Sequence, residues 1–411
     1  MPNIVIREQD LSDVAKIDIT ENAVYVPGIA SKGDSNKPTR FTSIDEFINT
    51  FGNDSNTEED ISFKYAAELI SAGVPVYFEK LAALDDKNLQ TAIEGLKDKN
   101  AYNIKFITTG THPIKIPESP KPENTATTQN ESGGSSTTTI NLFKTILEVA
   151  AIRGDCIALV DVDNTKGIDT IQSELNELTK SDLESNYTIT ISGDKEDTKE
   201  STLKYGTIIA PWGTYSTKRY GDVELPGSFA YLTCLAKSTV NYPNWYAVAG
   251  VNRGYINNLK KLSTDVTGSK ADAVQTIKGI SIVPITYINP YGYCIWGNRT
   301  LHKNDKDDLV ASSFLNIRML ACDVKKTLYT AAKELMFETD SMQLWLDFKS
   351  EVTPLLDKMV SGNGLTDYSI KRVKSNTKAT LKVVVTLYCV EAIENFDITL
   401  NITDSTVEVA E

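Results

Sequence analysis

Two kinds of hydrophobic pattern alternate along the first half of the chain, and they predict strands and helices in turn. The stretch "NAVYVPGIA" from Asn22 to Ala30 is a continuous apolar run, which predicts a strand that ends at Pro27 and Gly28. "SIDEFINTFG" follows with helical spacing, and Ser43 is a candidate N-cap because Glu46 stands three residues after it. A strand followed by a helix is the first step of an alternation that continues downstream.

The same alternation extends to about residue 210. Predicted helices lie in "EEDISFKYAAELISAG", "KNLQTAIEGLKDK", "INLFKTILEVAAIRG" and "GIDTIQSELNELTK". Predicted strands lie in "VPVYFEKL", "YNIKFITTG", "CIALVDV" and "GTIIAPW". Apolar strands that alternate with helices indicate a mainly parallel sheet covered on both faces. The sequence therefore predicts an α/β protein, and its 411 residues suggest two or three domains.

Residues 111–139 interrupt this pattern with a low-complexity segment of Pro, Thr, Ser, Gly and Asn that has almost no large apolar side chains. Such a composition buries too little apolar surface to offset the entropy lost on ordering. We therefore expect a surface loop at this place, and a smaller insertion of the same type at residues 192–201.

Both ends of the chain carry short segments with one apolar face. In "FDITLNIT" and in "DVAKIDIT", apolar residues recur at every second position, which is typical of strands. Strands without an obvious partner in their own domain are candidates for addition to the sheet edge of another chain, and pairing within the same subunit is an equal alternative. The residues proposed to form strands in these arms are Ile4, Ile6, Ile17, Ile19, Ile398, Leu400 and Ile402.

Charge and composition limit the classes of partner. The net charge of −13 argues against a nucleic-acid partner, because phosphate binding needs a basic surface, and it favours basic patches, including those on copies of this chain. No apolar run reaches the length of a membrane span and the N-terminus lacks a signal-peptide pattern, so we expect no membrane insertion and a cytoplasmic place of synthesis. The five scattered cysteines predict free thiols rather than disulfides or a metal site.

The candidate catalytic motifs are incomplete. In "GIASKGDS" the glycines have the spacing of a phosphate-binding loop, but Asp34 stands where that loop needs Lys. "DVDNTKGID" belongs to a segment that lacks the Glu required by a calcium loop. His302 lies in a polar run that favours a solvated side chain over a catalytic base. We predict no enzyme and no cofactor; the alternatives are a passive binding module or an α/β enzyme acting on a phosphorylated or glycosidic substrate through Asp161, Asp163 and Arg299.

The stretch "CIWGNRTL" from Cys294 to Leu301 combines residue types that build structural corners. Gly permits unusual backbone angles, Trp fills a large cavity, and Arg can hold loops through several hydrogen bonds. Taken alone, the stretch favours a fold-defining corner over a catalytic element. The residues of this corner are Trp296, Gly297, Arg299 and Thr300.

At this corner the sequence resembles the tail sheath proteins of contractile-tailed bacteriophages and contractile bacteriocins. The family's C-terminal half carries a "WG-x-RT" stretch, and a later family segment is matched here by Phe337, Glu338, Asp340 and Trp345. The resemblance extends to Pro226-Gly227-Ser228 and to "YAVAGVNRGYI", and it covers most of residues 21–400. The chain departs from the family's Pro-Ala-Gly around Ala247 and Ala249, and in the low-complexity loop.

The resemblance implies a multi-domain sheath fold with mainly parallel covered sheets and extended β-arms. Its parts would be an N-terminal arm at residues 1–20, an outer and central α/β domain at 21–285, an inner α/β domain at 286–398 and a C-terminal arm at 399–411. It also implies a structural subunit whose hexameric rings stack around an inner tube and contract to drive that tube through a bacterial envelope. The implied partners are other copies, the tube protein, and baseplate and terminator proteins, in a tail or particle assembled in the host cytoplasm.

One helix is a candidate for the surface that faces the tube. From about Ser313 to Met336 an apolar stripe must face its own domain, at Ile317, Leu320, Val324, Leu328, Ala331 and Leu335. Basic residues around the other side predict weak, screened contacts with an acidic tube, and a solvated face or a contact with a neighbouring subunit is the equal alternative. The predicted tube-facing residues are Arg318, Lys325, Lys326 and Lys333.

Overall fold

The computed structural model describes residues 20–52, 61–117, 141–178, 186–189, 198–275, 280–303, 306, 308–374 and 380–394. The arm residues Ile4, Ile6, Ile17, Ile19, Ile398, Leu400 and Ile402 lie outside the described residues. So do residues 118–139 of the low-complexity segment and residues 192–197 of the smaller insertion. The strand assignment of both arms therefore stays a prediction.

A mostly parallel sheet of eight strands forms the centre of the fold. Parallel pairing joins β1 (Val24–Gly28), β3 (Val76–Lys80), β4 (Phe106–Ile107), β5 (Ile157–Val160), β8 (Gly206–Ala210) and β12 (Val283–Ile288). The edge strands β2 (Thr39–Phe41) and β13 (Gly292–Ile295) are antiparallel to their neighbours. The strand order is β13-β12-β8-β5-β4-β1-β3-β2. The predicted α/β class with a mainly parallel sheet is confirmed.

Helices cover both faces of this sheet, as its continuous apolar strands require. One face is covered by α1 (Ile44–Phe51), α2 (Ser62–Ser71) and α6 (Gly227–Thr239). The opposite face is covered by α3 (Asp86–Glu94), α4 (Leu142–Arg153), α5 (Ile168–Asn176) and α8 (Gly268–Val274). A short helix, α7 (Gly250–Arg253), precedes α8, and 3₁₀ turns occupy Gly95–Lys97, Thr202–Tyr205 and Ala311–Ser313.

The start and end signals predicted for α1 are partly confirmed. Ser43 is the residue before the helix, but its side chain makes no capping hydrogen bond, so the expected capping box is not formed. Gly52 ends the helix with a φ of 91°, a conformation that glycine adopts without steric cost. The apolar side of α1 packs Phe47 and Phe51 against Phe78 of β3, with ring centroids 5.1 and 4.9 Å apart.

Two smaller sheets were not predicted from the sequence. One joins β9 (Gly213–Thr217), β10 (Gly221–Leu225) and β11 (Leu259–Leu262), with β9 in the middle. The other is the antiparallel pair β6 (Asn186–Ile189) and β7 (Thr198–Ser201), which frames the smaller insertion. These strands are four or five residues long, and their side chains mix polar and apolar types too irregularly to signal a strand.

The C-terminal part has a core of its own. It contains α9 (Leu315–Glu334), α10 (Met342–Ser361) and the antiparallel hairpin of β14 (Leu365–Val373) and β15 (Lys382–Cys389). The predicted apolar stripe of α9 is confirmed, since Ile317, Leu320, Val324 and Ala331 are buried. The predicted domain boundary between residues 285 and 286 is wrong as a structural division, because it cuts β12 inside the large sheet.

The predicted low-complexity loop begins later than its composition suggested. Ile114 is buried and forms a parallel bridge with Val162, and its amide donates to the carbonyl of Asp161 at 2.7 Å. His112 contacts the carboxylate of Asp86 at 2.7 Å. Residues 111–117 therefore belong to the folded body, because two isoleucines in an otherwise polar stretch supply enough apolar surface to attach it.

Candidate functional site

The corner at residues 296–300 joins two parts of the molecule through hydrogen bonds. The amide of Trp296 donates to the carbonyl of Pro284 in β12 at 2.8 Å, which attaches the corner to the large sheet. The amide of Thr300 donates to the carbonyl of Ser313 at 2.9 Å, and its hydroxyl donates to the carbonyl of Ser312 at 2.8 Å. The corner thereby fixes the large sheet to the residues that lead into α9.

Asn298, the variable position of the corner motif, holds the start of α9. Its carbonyl accepts from the amide of Leu315 at 3.1 Å, and its side-chain oxygen accepts from the amide of Asn316 at 3.2 Å. The first amides of a helix have no partner within the helix, so these bonds satisfy groups that would otherwise be unpaired. The side chain of Asn316 continues the network to the carbonyl of Trp245 at 3.1 Å. The sequence analysis missed this role, although Asn is a common residue at helix starts.

Arg299 connects the corner to the C-terminal end of the described chain. Its guanidinium is buried, lies 4.7 Å from the ring centroid of Phe314, and forms an ion pair with Glu394. Burial raises the pKa of Glu394, and Arg299 opposes that rise. Glu394 is the last described residue before the predicted C-terminal arm. The corner is therefore also the attachment point from which that arm continues.

The residues of the enzyme alternative have different partners. Asp161 accepts from Ser228 at the start of α6, whereas Arg299 forms its ion pair with Glu394. Asp163 forms a local turn with Thr165. Within the described ranges, no group of three or more His, Cys, Asp and Glu side chains could hold a metal ion.

Asp161 instead stabilises the start of α6. Its carboxylate accepts from the amide of Ser228 at 3.0 Å and from the hydroxyl of Ser228 at 2.5 Å, and that hydroxyl also contacts Tyr65 at 2.9 Å. A Cβ atom on Gly227 would lie 2.1 Å from the carbonyl oxygen of Ile209, so only glycine allows the helix to approach β8 this closely. The "PGS" stretch of the sequence is thus a packing motif.

Asp161 is expected to make the stability of the subunit depend on pH. Burial raises the pKa of Asp161 to about 7 from its usual value of 3.8, so the folded state holds a proton that the unfolded state releases. The free energy of unfolding should therefore decrease as pH rises from about 4 to about 7. In the Asp161→Asn variant this decrease should be smaller by about 2–4 kcal/mol. Urea unfolding at a series of pH values measures the difference.

The matched control for this prediction is Asp163→Asn. Hydrogen bonds from Thr165 lower the pKa of the partly exposed Asp163, so its contribution runs in the opposite direction and is small. Superimposable pH profiles for the wild-type chain and Asp161→Asn would contradict the assignment of the raised pKa to Asp161.

The prediction of a basic, tube-facing side on α9 is wrong for two of its four residues. Arg318 and Lys326 are 7% and 6% exposed, and the ammonium of Lys326 donates to the side chain of Asn103 and the carbonyl of Ile104. Lys325 is half-buried and donates to Tyr205 at 2.8 Å. Lys333 is exposed. The helix uses most of its basic side to pack against its own large sheet.

Among the described residues, both outer edges of the C-terminal hairpin are unpaired. In the part of the chain that the structure describes, β14 and β15 pair only with each other, and α10 packs against one face of the hairpin. Large apolar side chains of the hairpin and the following residues are exposed, at Val373, Val384, Tyr388, Val390 and Ile393. Open edges flanked by apolar side chains are suited to strand addition.

A second exposed apolar surface surrounds the turn between α9 and α10. Phe337 is 99% exposed and has a φ of 72°, a left-handed conformation that is costly for a side chain of this size. Asp340 in the same turn accepts from Arg372 of β14 at 2.7 Å, and Trp345 stacks on Phe348. This surface consists of Met336, Phe337, Met342 and Leu346.

All five cysteines carry free thiols, as predicted. Among the helices that the structure describes, none combines the length and the apolar content that crossing a bilayer requires. Among the described residues, the corner, the hairpin edges and the exposed surface between α9 and α10 are candidate sites for contacts with other molecules.

Comparison with known sequences identifies one type of relative. No protein-family model matches the chain. A segment of 197 residues, 46% of this chain, is 28% identical to the tail sheath protein of Vibrio phage KVP40. The matched segment corresponds to 28% of that relative, so the chain spans less than a third of its length.

Comparison with solved structures covers nearly the whole chain. A chain of the anti-feeding prophage baseplate, in a six-fold symmetrised structure, matches with a TM-score of 0.64 and 17% identity over 98% of both chains. The sheath complex of an extracellular contractile injection system in its contracted state matches with a TM-score of 0.62 and 18% identity, over 98% of this chain and 97% of the other. A sheath tail protein from Listeria innocua matches with a TM-score of 0.53 and 7% identity, over 90% and 95% of the two chains.

Proposed function

We propose that this chain, which has the fold of contractile sheath proteins, is a structural subunit of a contractile sheath. The carrying observation is the extent of the match, because the structural alignment covers 98% of this chain and 97% of a chain from a contracted sheath complex. The sequence similarity to a phage tail sheath protein points in the same direction.

In this proposal, hexameric rings of the subunit stack around an inner tube and are joined by the arms. The N-terminal arm at residues 1–20 and the C-terminal arm at residues 399–411 would add strands to the hairpin edges of neighbouring copies. Main-chain hydrogen bonds along an added strand give affinity, and the alternate apolar side chains set the register. Such links would keep the rings connected while the bodies move, and contraction from the baseplate would drive the tube through an envelope.

The exposed surface between α9 and α10 supports assembly with a second copy. A soluble monomer seldom exposes Met336, Phe337, Met342 and Leu346 side by side. The side chain of Phe337 is almost fully exposed, so contacts with the described residues do not offset its costly backbone conformation. We assign this surface to contact between copies in the sheath. Of the four basic residues first considered for contact with the tube, Lys333 remains exposed enough for that role.

Formation of sheath-like tubes is the experiment that tests the proposed function. The purified full-length chain, concentrated without a tube protein, should form long tubes with a regular axial repeat in negative-stain electron microscopy. A chain that remains a monomer or a small closed oligomer at every concentration and salt condition would contradict the proposal. Co-expression with a tube protein of a contractile particle should then give filled tubes.

A further inference from the structure

A cluster of cations surrounds the ring of Tyr205 between α9 and the large sheet. The guanidinium carbon of Arg318 lies 4.0 Å from the ring centroid, a favourable cation–π distance. Lys325, two helical turns further along α9, donates to the hydroxyl of Tyr205 at 2.8 Å. That hydroxyl donates to the carboxylate of Glu200 at 2.9 Å. The cluster consists of Lys204, Tyr205, Arg318, Lys325 and Glu200.

One edge of the Arg318 guanidinium makes no hydrogen bond to the described residues. Although the residue is 7% exposed, no acceptor among the described residues forms a hydrogen bond with its Nε or Nη2 atom. These two nitrogens point in the same direction and form the fork that holds both oxygens of a carboxylate or a phosphate. Arg299 is also buried, but its Nη2 already has the carboxylate of Glu394. Among the described residues, Arg318 is therefore the buried arginine whose Nε and Nη2 atoms both lack a hydrogen-bond acceptor.

The cluster carries more positive than negative charge. The field of Lys325, Lys204 and Arg318 holds the pKa of Glu200 below its usual value despite its burial. Burial and the nearby Arg318 lower the pKa of Lys325. Three cations thus face a single carboxylate in a chain whose net charge is −13. An additional anion would relieve this repulsion at a place where solvent screens it weakly.

Gly154 packs beside the ammonium group of Lys325. A Cβ atom at Gly154 would lie 3.8 Å from Lys325 Nζ and 3.9 Å from the hydroxyl of Tyr205. The residue ends α4 with a φ of 72°, so a side chain is disfavoured there. Lys325 itself is only half-buried, which gives the cluster a route to solvent.

We propose that Arg318 and Lys325 form an oxyanion-binding site beside the ring of Tyr205. The Nε and Nη2 atoms of Arg318 hold two oxygens of the ligand, and the ammonium of Lys325 contacts the same group. The ligand is a carboxylate or a phosphate, and it has two possible sources: free inorganic phosphate, or an acidic side chain of a second copy of the chain. The site does not depend on the proposed sheath function.

Thermal unfolding of the unassembled full-length chain in inorganic phosphate tests the site. When chloride is replaced by phosphate at constant ionic strength, the Tm of the wild-type chain should rise saturably by about 2 °C at about 20 mM phosphate. Arg318→Met should lose this saturable rise, whereas Lys333→Met, on the exposed part of the same helix, should keep it. General stabilisation by phosphate affects all three chains alike and does not saturate.

A second variant keeps the test informative if Arg318→Met does not fold. Lys325 is half-buried and its loss should be tolerated, so Lys325→Met should fold and shift the saturation curve to about tenfold higher phosphate. An equal saturable rise in the wild-type, Arg318→Met and Lys325→Met chains would overturn the proposal.

Assembly distinguishes the two sources of the oxyanion. If an acidic side chain of a second copy fills the site, Arg318→Met should lower the fraction of protein that sediments as polymer, and phosphate should inhibit polymerisation of the wild-type chain. If free phosphate is the ligand, the Tm shift should remain and phosphate should leave the sedimented fraction unchanged. Two results together would overturn the proposal for both ligand sources: no saturable Tm shift in the wild-type chain, and equal sedimented fractions for the wild-type and Arg318→Met chains.

Discussion

Removing residues 1–19 or residues 399–411 is expected to leave a subunit that melts cooperatively and forms no tubes. Both segments are predicted to pair with neighbouring copies, so we expect either deletion to leave the three apolar cores of the described body intact. The Tm of each truncated chain should stay within about 2 °C of the full-length value. Assembly should fail, because the hairpin edges would lose the strands that complete them. Calorimetry and negative-stain microscopy measure the two properties separately.

Deletion of residues 118–139 provides the matched control for the arm truncations. It removes more residues than either arm, but from a segment whose composition predicts a surface loop with no part in strand pairing. A chain in which a short Gly-Ser linker replaces this segment should still form tubes of normal length. Normal tubes from either arm truncation, or loss of tubes from the loop replacement alone, would show that assembly does not depend on the arms.

The large sheet could be predicted because its elements carry their signals locally. The strand in "CIALVDV" is apolar at every position from Cys156 to Val160. Helix α1 shows helical spacing with Gly52 at its end, so each element is recognisable without its neighbours. The hairpin of β14 and β15 was missed for the opposite reason. "LTDYSIKRV" has no regular alternation, and its strand character depends on pairing with β15 and packing on α10.

The corner was predicted as a structural element, whereas its particular partners were not. Gly297 and Arg299 belong to residue types that mark such places, but nothing in the sequence connects Arg299 with Glu394, 95 residues later. The basic side of α9 was misjudged in the same way. Periodicity identifies which side of a helix is apolar, but it does not reveal that a charged side chain on the other side meets a buried partner far away in the sequence.

Replacement of Lys105 by Met is expected to destabilise the subunit by about 3–5 kcal/mol, the usual cost of removing one partner from a buried ion pair. The ammonium of Lys105 lies 2.6 Å from the carboxylate of Asp323, and both side chains are almost completely buried. Burial raises the pKa of Asp323 and Lys105 opposes that rise, so the variant would leave a carboxylate without its compensating charge. Urea unfolding should show a lower midpoint with an unchanged slope.

A double-mutant cycle separates the ion pair from simple loss of packing. Adding Asp323→Leu to Lys105→Met should recover much of the lost stability, because two apolar side chains can replace a buried pair at little net cost. The exposed Lys333→Met on the same helix should change stability by less than about 0.5 kcal/mol. A Lys105→Met chain within about 1 kcal/mol of wild type, or a double variant as unstable as the single one, would contradict the assigned role.

The position of this pair gives it a mechanical consequence in the proposed sheath. Lys105 leads directly into β4, in the middle of the large sheet, and Asp323 lies on α9, whose later half carries the core shared with the hairpin. A pull on an arm bound at the hairpin would therefore pass through α9 into the centre of the subunit. With the pair intact, the subunit should move as one body during contraction. Lys105→Met sheaths should accordingly assemble, yet break into unfolded fragments when contraction is triggered by mild denaturant, whereas Lys333→Met sheaths should contract intact.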